Sequence, residues 1–348
     1  MNICHFVSRA DSLTYTIAKA LSAGGHDVNL WVADSEYNKS HSVEIMRRLL
    51  RIPGVSVTSE FGAATKPDRV ERLILQMFPR PNRFTSFELF DPLAMHANRI
   101  TLITGGDRNR HWRTAIQRQW QEIYLLRRWL RKIDGVVYKN GFYAFDLFAP
   151  IKCRRVLGFD VHSMFLDDEN LLEYIQRPDW KVDANRPNLI NFIGSQDPAS
   201  RKQILDSIRP LFNKLTPAPK TTVWHEYSDA EPAALGPMEF VDVLSSSDFT
   251  LCPPGFSLAT HRVVEALLRG SIPILNANEL DIYDIGLSDG LNCIAASPGH
   301  WRSAIERCFN MDGSAIIAMR NNIRSLAENL LPYTTSSKQM RFRLGPDI

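Results

Sequence analysis

The chain has 348 residues, more than one hydrophobic core usually supports, which predicts two domains of roughly 150 to 180 residues. Its 44% hydrophobic and 23% charged residues exclude disorder as the carrier of function, and a net charge of only +3 gives no global field for nucleic acid, so no nucleic-acid partner is expected. Five scattered cysteines, Cys4, Cys153, Cys252, Cys293 and Cys308, form no C-x-x-C pair, excluding a disulfide framework or zinc site and fitting a reduced, cytoplasmic compartment.

The start, "MNICHFVSRADSLTY", has no basic leader, and no uncharged apolar run approaches the ~18 residues of a membrane-spanning helix. "NICHFV" (2–7) reads as an apolar strand, "TYTIAKALSAGG" as a helix with a glycine stop, and "DVNLWVA" as the next strand. That strand-helix-strand unit is of the parallel α/β type. The pattern recurs at "GVSVTS" (54–59), "ITLITGG" (100–106), "GVVYKNG" (135–141) and "RRVLGFD" (154–160), giving an N-terminal parallel-sheet domain over 1–163.

Within it, "SRADSLTY" (8–15) follows the first strand, and its Asp11 is the first candidate for a general base, although Asp11 or Ser12 also suits the cap of the following helix. Asp91, His96 and Asp107 are rival bases. Residues 108–132 carry eight Arg or Lys and one Glu, while Trp112, Ile116, Trp120, Ile123, Leu126 and Trp129 approximate one helical face. Such a basic amphipathic helix suits either a core-packed surface helix or peripheral contact with an anionic membrane.

Residues 164–188 hold acidic and proline-bearing turns and read as a boundary or linker. A second α/β series, the domain 164–325, follows with the strand "NLINFIG", the helix "SRKQILDSIRPLFNKL", the strand "TTVWHEY", the helix "PMEFVDVLSSS" and a strand near 292. The tail, 326–348, loses helical period and is expected to pack back on the N-terminal domain.

The most informative stretch is "FTLCPPGFSLATHRVVEALLRGSIPIL" (249–275). An apolar strand stops at Pro253, Pro254 and Gly255, at the carboxyl end where open α/β sheets bind ligands. The helix that follows, expected over 259–269, offers unpartnered N–H groups to an anion, and Arg262 in its first turn can bind a diphosphate in bidentate fashion. Glu265, three residues on, can accept two hydrogen bonds from a ribose diol, or can simply pair with Arg262 on the surface. Ser257, Thr260 and His261 add polar contacts, and Gly194 and Arg201, at the end of one strand and the start of the next helix, can face donor phosphates. His225 or Tyr227, at the end of "VWHEY", can contact a ligand bound at the same edge. The G-x-G-x-x-G and G-x-x-x-x-G-K patterns are absent, as is Asp-x-Asp, so a helix end and cationic side chains are expected to neutralise the leaving group without a metal.

"MEFVDVLSSSDFTLCPPGFSLATHRVVEALLRGSIPIL" resembles the exostosin family, glycosyltransferase family 47: a Ser-x-Phe-x-Leu-Cys-Pro strand, a glycine turn, an Arg-x-x-Glu-Ala helix and an Ile-Pro-hydrophobic strand. "NFIGSQDPASRKQIL" resembles the same family's Phe-x-Gly segment with an Arg at a helix start. The family usually has a basic residue where Pro254 stands and a second glycine where Ser257 stands. The resemblance implies an α/β GT-B fold, two Rossmann-like domains facing across a cleft, and an inverting glycosyltransferase acting in polysaccharide synthesis. Its donor is a nucleotide sugar, a UDP-sugar, and its acceptor a glycan or lipid-linked glycan. On this reading Asp11 and Arg262 are catalytic, while Gly194, Arg201, Tyr227, Pro254, Gly255, Phe256, Ser257, Thr260, His261, Arg262 and Glu265 hold the donor. A GT-B-like nucleotide-sugar epimerase and a non-catalytic nucleotide- or carbohydrate-binding protein are the alternatives.

Overall fold

In a computed structural model of the chain, the described residues are 1–7, 12–32, 40–58, 70–76, 91, 93–104, 124, 127–138, 154–156, 161–162, 165, 168–177, 179–197, 199–215, 220–227, 235–255, 260–283 and 285–329. The chain divides into two compact units, Met1–Leu157 with Tyr333–Ile348, and Gly158–Pro332.

Among its described residues the first unit has seven parallel strands in the order β3-β2-β1-β4-β5-β6-β7. They are β1 (Asn2–Val7), β2 (Asp27–Val32), β3 (Val55–Thr58), β4 (Val70–Gln76), β5 (Ala97–Thr104), β6 (Ile133–Tyr138) and β7 (Arg154–Val156). Helix α1 (Ser12–Ala23) joins β1 to β2 and α2 (Ser40–Leu49) joins β2 to β3. The expected glycine stop of α1 is present: Gly24 N–H donates to Ala20 O, and Gly25 takes φ 77°, the left-handed conformation that glycine tolerates at a helix end. Ile3, Val28, Ile74 and Ile103 pack with Ile17 and Leu21 of α1, while Cys4, Phe6, Leu73, Leu75 and Leu102 line the other core.

The sequence pattern missed β4 because "VERLILQ" carries two charges. Buried parallel strands read as near-continuous apolar runs, and Arg72 breaks that run. Its guanidinium is nonetheless buried, donating to Thr101 Oγ1 (2.7 Å) of the neighbouring β5 and to the Asp134 carboxylate (2.8 Å) of β6, one strand further.

Among its described residues the second unit has five parallel strands in the order β12-β11-β10-β8-β9. They are β8 (Asn188–Ser195), β9 (Thr221–Tyr227), β10 (Ser247–Leu251), β11 (Ile272–Asn276) and β12 (Ile294–Ala296). Its helices are α3 (Glu169–Gln176), α4 (Ala199–Leu215), α5 (Pro237–Ser245), α6 (His261–Leu268), α7 (Trp301–Phe309) and α8 (Gly313–Asn329), with a 3-10 segment at Ala277–Tyr283. α4 packs against α7, whereas α6 packs against α3, α5 and α8. Right-handed crossovers running in opposite directions from the β8/β10 pair put these two sets on opposite faces of the sheet.

Residues 164–188, expected as a linker, contain α3 and a clamp on α6. Asp168 caps α3, its carboxylate accepting from Asn170 N–H (2.9 Å) and Leu171 N–H (3.4 Å), so part of the acidic run is a helix start. Downstream, Trp180 Nε1 donates to Leu268 O (2.9 Å) and Arg186 Nη2 to Arg269 O (3.0 Å), satisfying carbonyls that the end of α6 leaves without helical partners. Arg269 itself is buried, donating to Ser245 Oγ, Tyr174 O, Arg177 O and Asp179. Gly270 closes the helix at φ 65°, with the Trp180 ring so near that a Cβ there would stand 2.4 Å from Cε3.

Gly270→Ala must therefore combine a left-handed penalty with an overpacked indole, and is expected to destabilise the protein by about 2–4 kcal/mol, read from the urea midpoint.

Candidate functional site

The strand order of the second sheet has a reversal point between β8 and β10, which are hydrogen-bonded neighbours whose following helices leave to opposite faces. Ligands in open parallel sheets bind outside the carboxyl ends of the strands at such a point. The residues that converge there are Gly194 and Ser195 of β8, the turn Pro253, Pro254 and Gly255 after β10, and the start of α6.

Cys252 N–H still pairs with Ile274 O (2.8 Å), so β10 keeps its ladder to the edge, and the buried prolines then end it. Phe256 and Ser257 lie outside the described residues. Thr260 is the N-cap of α6, which begins at His261, two residues later than the sequence suggests. Its N–H donates to Tyr283 Oη (2.8 Å) and its carbonyl accepts from the same hydroxyl (3.3 Å). The buried Tyr283 thus fixes the entry to α6 from the 3-10 segment after β11. Burial raises its pKa well above the ordinary range, keeping the hydroxyl a donor.

Arg262 turns back across the sheet edge toward β8. Its guanidinium stands 5.5 Å from the Phe192 ring centroid and so close to Gly194 that a Cβ there would meet Nη1 at 2.7 Å. Glycine at 194 is what lets the cation lie against the strand end. Among the described residues, Arg262 Nε is buried without a hydrogen-bond partner.

Glu265 departs from the surface-pair reading. It is only 3% exposed, so it is not half of a surface pair with Arg262, nor does it project freely into solvent. Its Oε1 accepts from His162 N–H (2.8 Å). Burial pushes its carboxyl up to about 7, outweighing the opposing pull of the His162 amide and the Arg262 charge. His162 also meets His261 edge to face, ring centroids 5.5 Å apart.

Arg201 is placed beside the same turn but points its donors at the main chain: Nη1 to Ser195 O (3.0 Å) and Nε to Pro254 O (3.1 Å). Tyr227 ends β9 half-buried, its carbonyl accepting from Gln196 N–H (3.3 Å), and His225 on the same edge strand is exposed. The structure thus brings Gly194, Arg201, Pro254, Gly255, Thr260, His261, Arg262 and Glu265 to one strand edge or helix, with Tyr227 one strand away. His162 and Tyr283, which the sequence reading missed, complete the arrangement. Neither lies in the motif, and no local signal marks them.

In the first unit, Asp11 and Asp107 lie outside the described residues. Asp91 accepts from Trp129 Nε1 (2.7 Å) and lies 3.7 Å from Arg128 Nη1. His96 is exposed immediately before β5, at the amino end of that strand, opposite the edge where parallel sheets bind ligands. Most of 108–132 is outside the described residues. Its described end, Leu130–Lys132, is a 3-10 turn and not a continuation of an α-helix. Among the described residues no cluster of three His, Cys, Asp or Glu side chains could hold a metal, and no helix is long and apolar enough to cross a membrane.

The exostosin GT47 domain family matches residues 107–284, and the chain belongs to that family. Family membership makes it a glycosyltransferase. No curated protein matches the chain. Among solved structures it is similar to Anabaena HepE in complex with UDP and glucose, with a TM-score of 0.58, 10% identity and 99% of both chains covered. It is similar also to the sucrose-phosphate synthase of Thermosynechococcus elongatus, with a TM-score of 0.54, 11% identity and 98% of this chain and 97% of that one covered. A third, Phytolacca americana UGT2 complexed with UDP-2fluoro-glucose and pterostilbene, gives 0.50, 13% identity and 99% of both chains. These likenesses define the fold as GT-B, built from two Rossmann-like parallel-sheet domains.

The raised Glu265 carboxyl has a consequence for stability. An acid whose folded pKa exceeds its unfolded value binds more protons in the native state, so its contribution is complete below its ordinary value of 4.5 and is lost as pH rises toward about 7. Urea midpoints of the wild type are expected to fall over that window relative to Glu265→Gln, which keeps the acceptor for His162 N–H and cannot ionise.

Proposed function

We propose that this glycosyltransferase moves a sugar from a UDP-sugar to a hydroxyl of a glycan acceptor, free or lipid-linked, with inversion at the anomeric carbon and without a metal. The observation that carries the donor half of this reading is Arg262, seated against Gly194 at the β8/β10 reversal point, with the Glu265 carboxyl one turn further along α6. The UDP and UDP-sugar analogue named in the HepE and Phytolacca structures support a uridine donor on the same fold.

In the transfer, the acceptor oxygen attacks the anomeric carbon as its proton passes to a base, for which Asp11 is our assignment. The bond from that carbon to the diphosphate oxygen breaks, and its electron pair leaves on the nucleotide. Arg262 and the first N–H groups of α6 stabilise the charge that develops there, the task a divalent cation performs at other diphosphate sites. Glu265 accepts hydrogen bonds from the ribose hydroxyls, and two neutral donors supply what burial withholds from its carboxylate.

Loss of a charged partner of a phosphate costs about 1.5–3 kcal/mol. Arg262→Ala is accordingly expected to weaken UDP binding about 10- to 100-fold in calorimetry while leaving uridine affinity unchanged. Equal UDP affinity in wild type and variant would refute the diphosphate role. Turnover of a UDP-sugar panel should persist in EDTA, with NMR of the product showing the inverted anomeric configuration.

A further inference from the structure

Arg201 connects two loops that the sheet brings together but the chain does not. It leaves α4, on one face of the second sheet, and donates to Ser195 O after β8 (Nη1, 3.0 Å) and to Pro254 O after β10 (Nε, 3.1 Å). A planar, rigid donor fork that holds two carbonyls fixes the rotation of both peptide units. In a trans peptide the N–H points opposite to the C=O. The Ser195–Gln196 unit shows this directly: Ser195 O faces Arg201, while Gln196 N–H turns the other way to Tyr227 O of β9 (3.3 Å).

The same geometry holds at Pro254–Gly255. With Pro254 O turned to Arg201, the Gly255 N–H is directed away from the Arg201 guanidinium, at the turn that precedes α6. Gly255 is buried, and its N–H makes no hydrogen bond among the described residues. Pro254 has no N–H of its own, so Gly255 supplies the first amide of the turn after the two prolines.

We propose that Arg201 is a positioning residue, not a phosphate ligand: it sets the Gly255 amide as a hydrogen-bond donor to a diphosphate oxygen beside Arg262. This rests on the reading of the site as a UDP-sugar site. The guanidinium works through the Pro254–Gly255 peptide, so a lysine, which keeps the charge but cannot hold both carbonyls in one plane, should not replace it.

The test uses the full chain, labelled with carbonyl-13C proline and 15N glycine. Only the amides of Gly54, Gly255 and Gly299 follow a proline and are selected. Addition of UDP to the wild type should shift the Gly255 amide. Arg201→Lys and Arg201→Ala should both abolish that shift and weaken UDP about tenfold, the scale of one hydrogen bond to a charged group, with uridine affinity unchanged. Wild-type UDP affinity in Arg201→Lys, an unmoved Gly255 amide in the UDP-bound wild type, or equal losses for UDP and uridine would each overturn the proposal. Failure of the wild type to bind UDP at all is seen before any variant is compared, and refutes the nucleotide reading. The positioning role of Arg201 is then judged in the free protein, where Arg201→Lys must still move the Gly255 resonance and an unchanged one overturns it.

Discussion

The placement of α6 governs the rest of the site, and it is fixed from both ends by side chains distant in sequence. At its carboxyl end Trp180 and Arg186 bond Leu268 O and Arg269 O, and Gly270 lets the indole lie flat against the chain. At its amino end Tyr283 holds both the amide and the carbonyl of Thr260. A helix of two turns has little stability of its own, so its register depends on these anchors and on the buried Val263, Val264, Ala266 and Leu267. Arg262 and Glu265 inherit their positions from it.

Two electrostatic tendencies meet in that helix. Arg262 and the His162 amide favour the Glu265 carboxylate, while burial opposes it, and burial wins. The result is a carboxyl pushed up to about 7, beside a guanidinium whose Nε has no partner among the described residues. Both groups are better satisfied by a ligand that offers hydroxyl donors to one and anionic oxygens to the other, and a nucleoside diphosphate offers both. The protein holds the arrangement because the surrounding packing over-determines it, as expected where binding groups are preorganised.

How far the sequence disclosed this differs from residue to residue. The strand, turn and helix at 249–275 were legible because a buried parallel strand, two prolines and a helical apolar stripe are local signals. The parallel-sheet units were legible for the same reason, apart from β4, where Arg72 conceals a core strand by being paired within it. Glu265 was legible as a residue but not in its setting. Periodicity placed it near Arg262 on the helix, yet its burial depends on residues around 162 that approach from about 100 positions away. Acidic and proline-rich stretches usually mark linkers, as the composition of 164–188 suggests, whereas Asp168 is a cap and Trp180 and Arg186 are anchors. For Arg201 the spacing points to the donor phosphates, while its carbonyl partners, Ser195 O and Pro254 O, cannot be inferred from spacing.

The central claim is that Arg262 and Glu265, held on α6 at the β8/β10 reversal point, grip the diphosphate and the ribose of the donor. A crystal structure of the protein with UDP tests it most directly. The account predicts a phosphate oxygen within about 3 Å of an Arg262 Nη atom and ribose hydroxyls at the same distance from Glu265. UDP bound with its diphosphate away from Arg262, or at another strand edge, would contradict it.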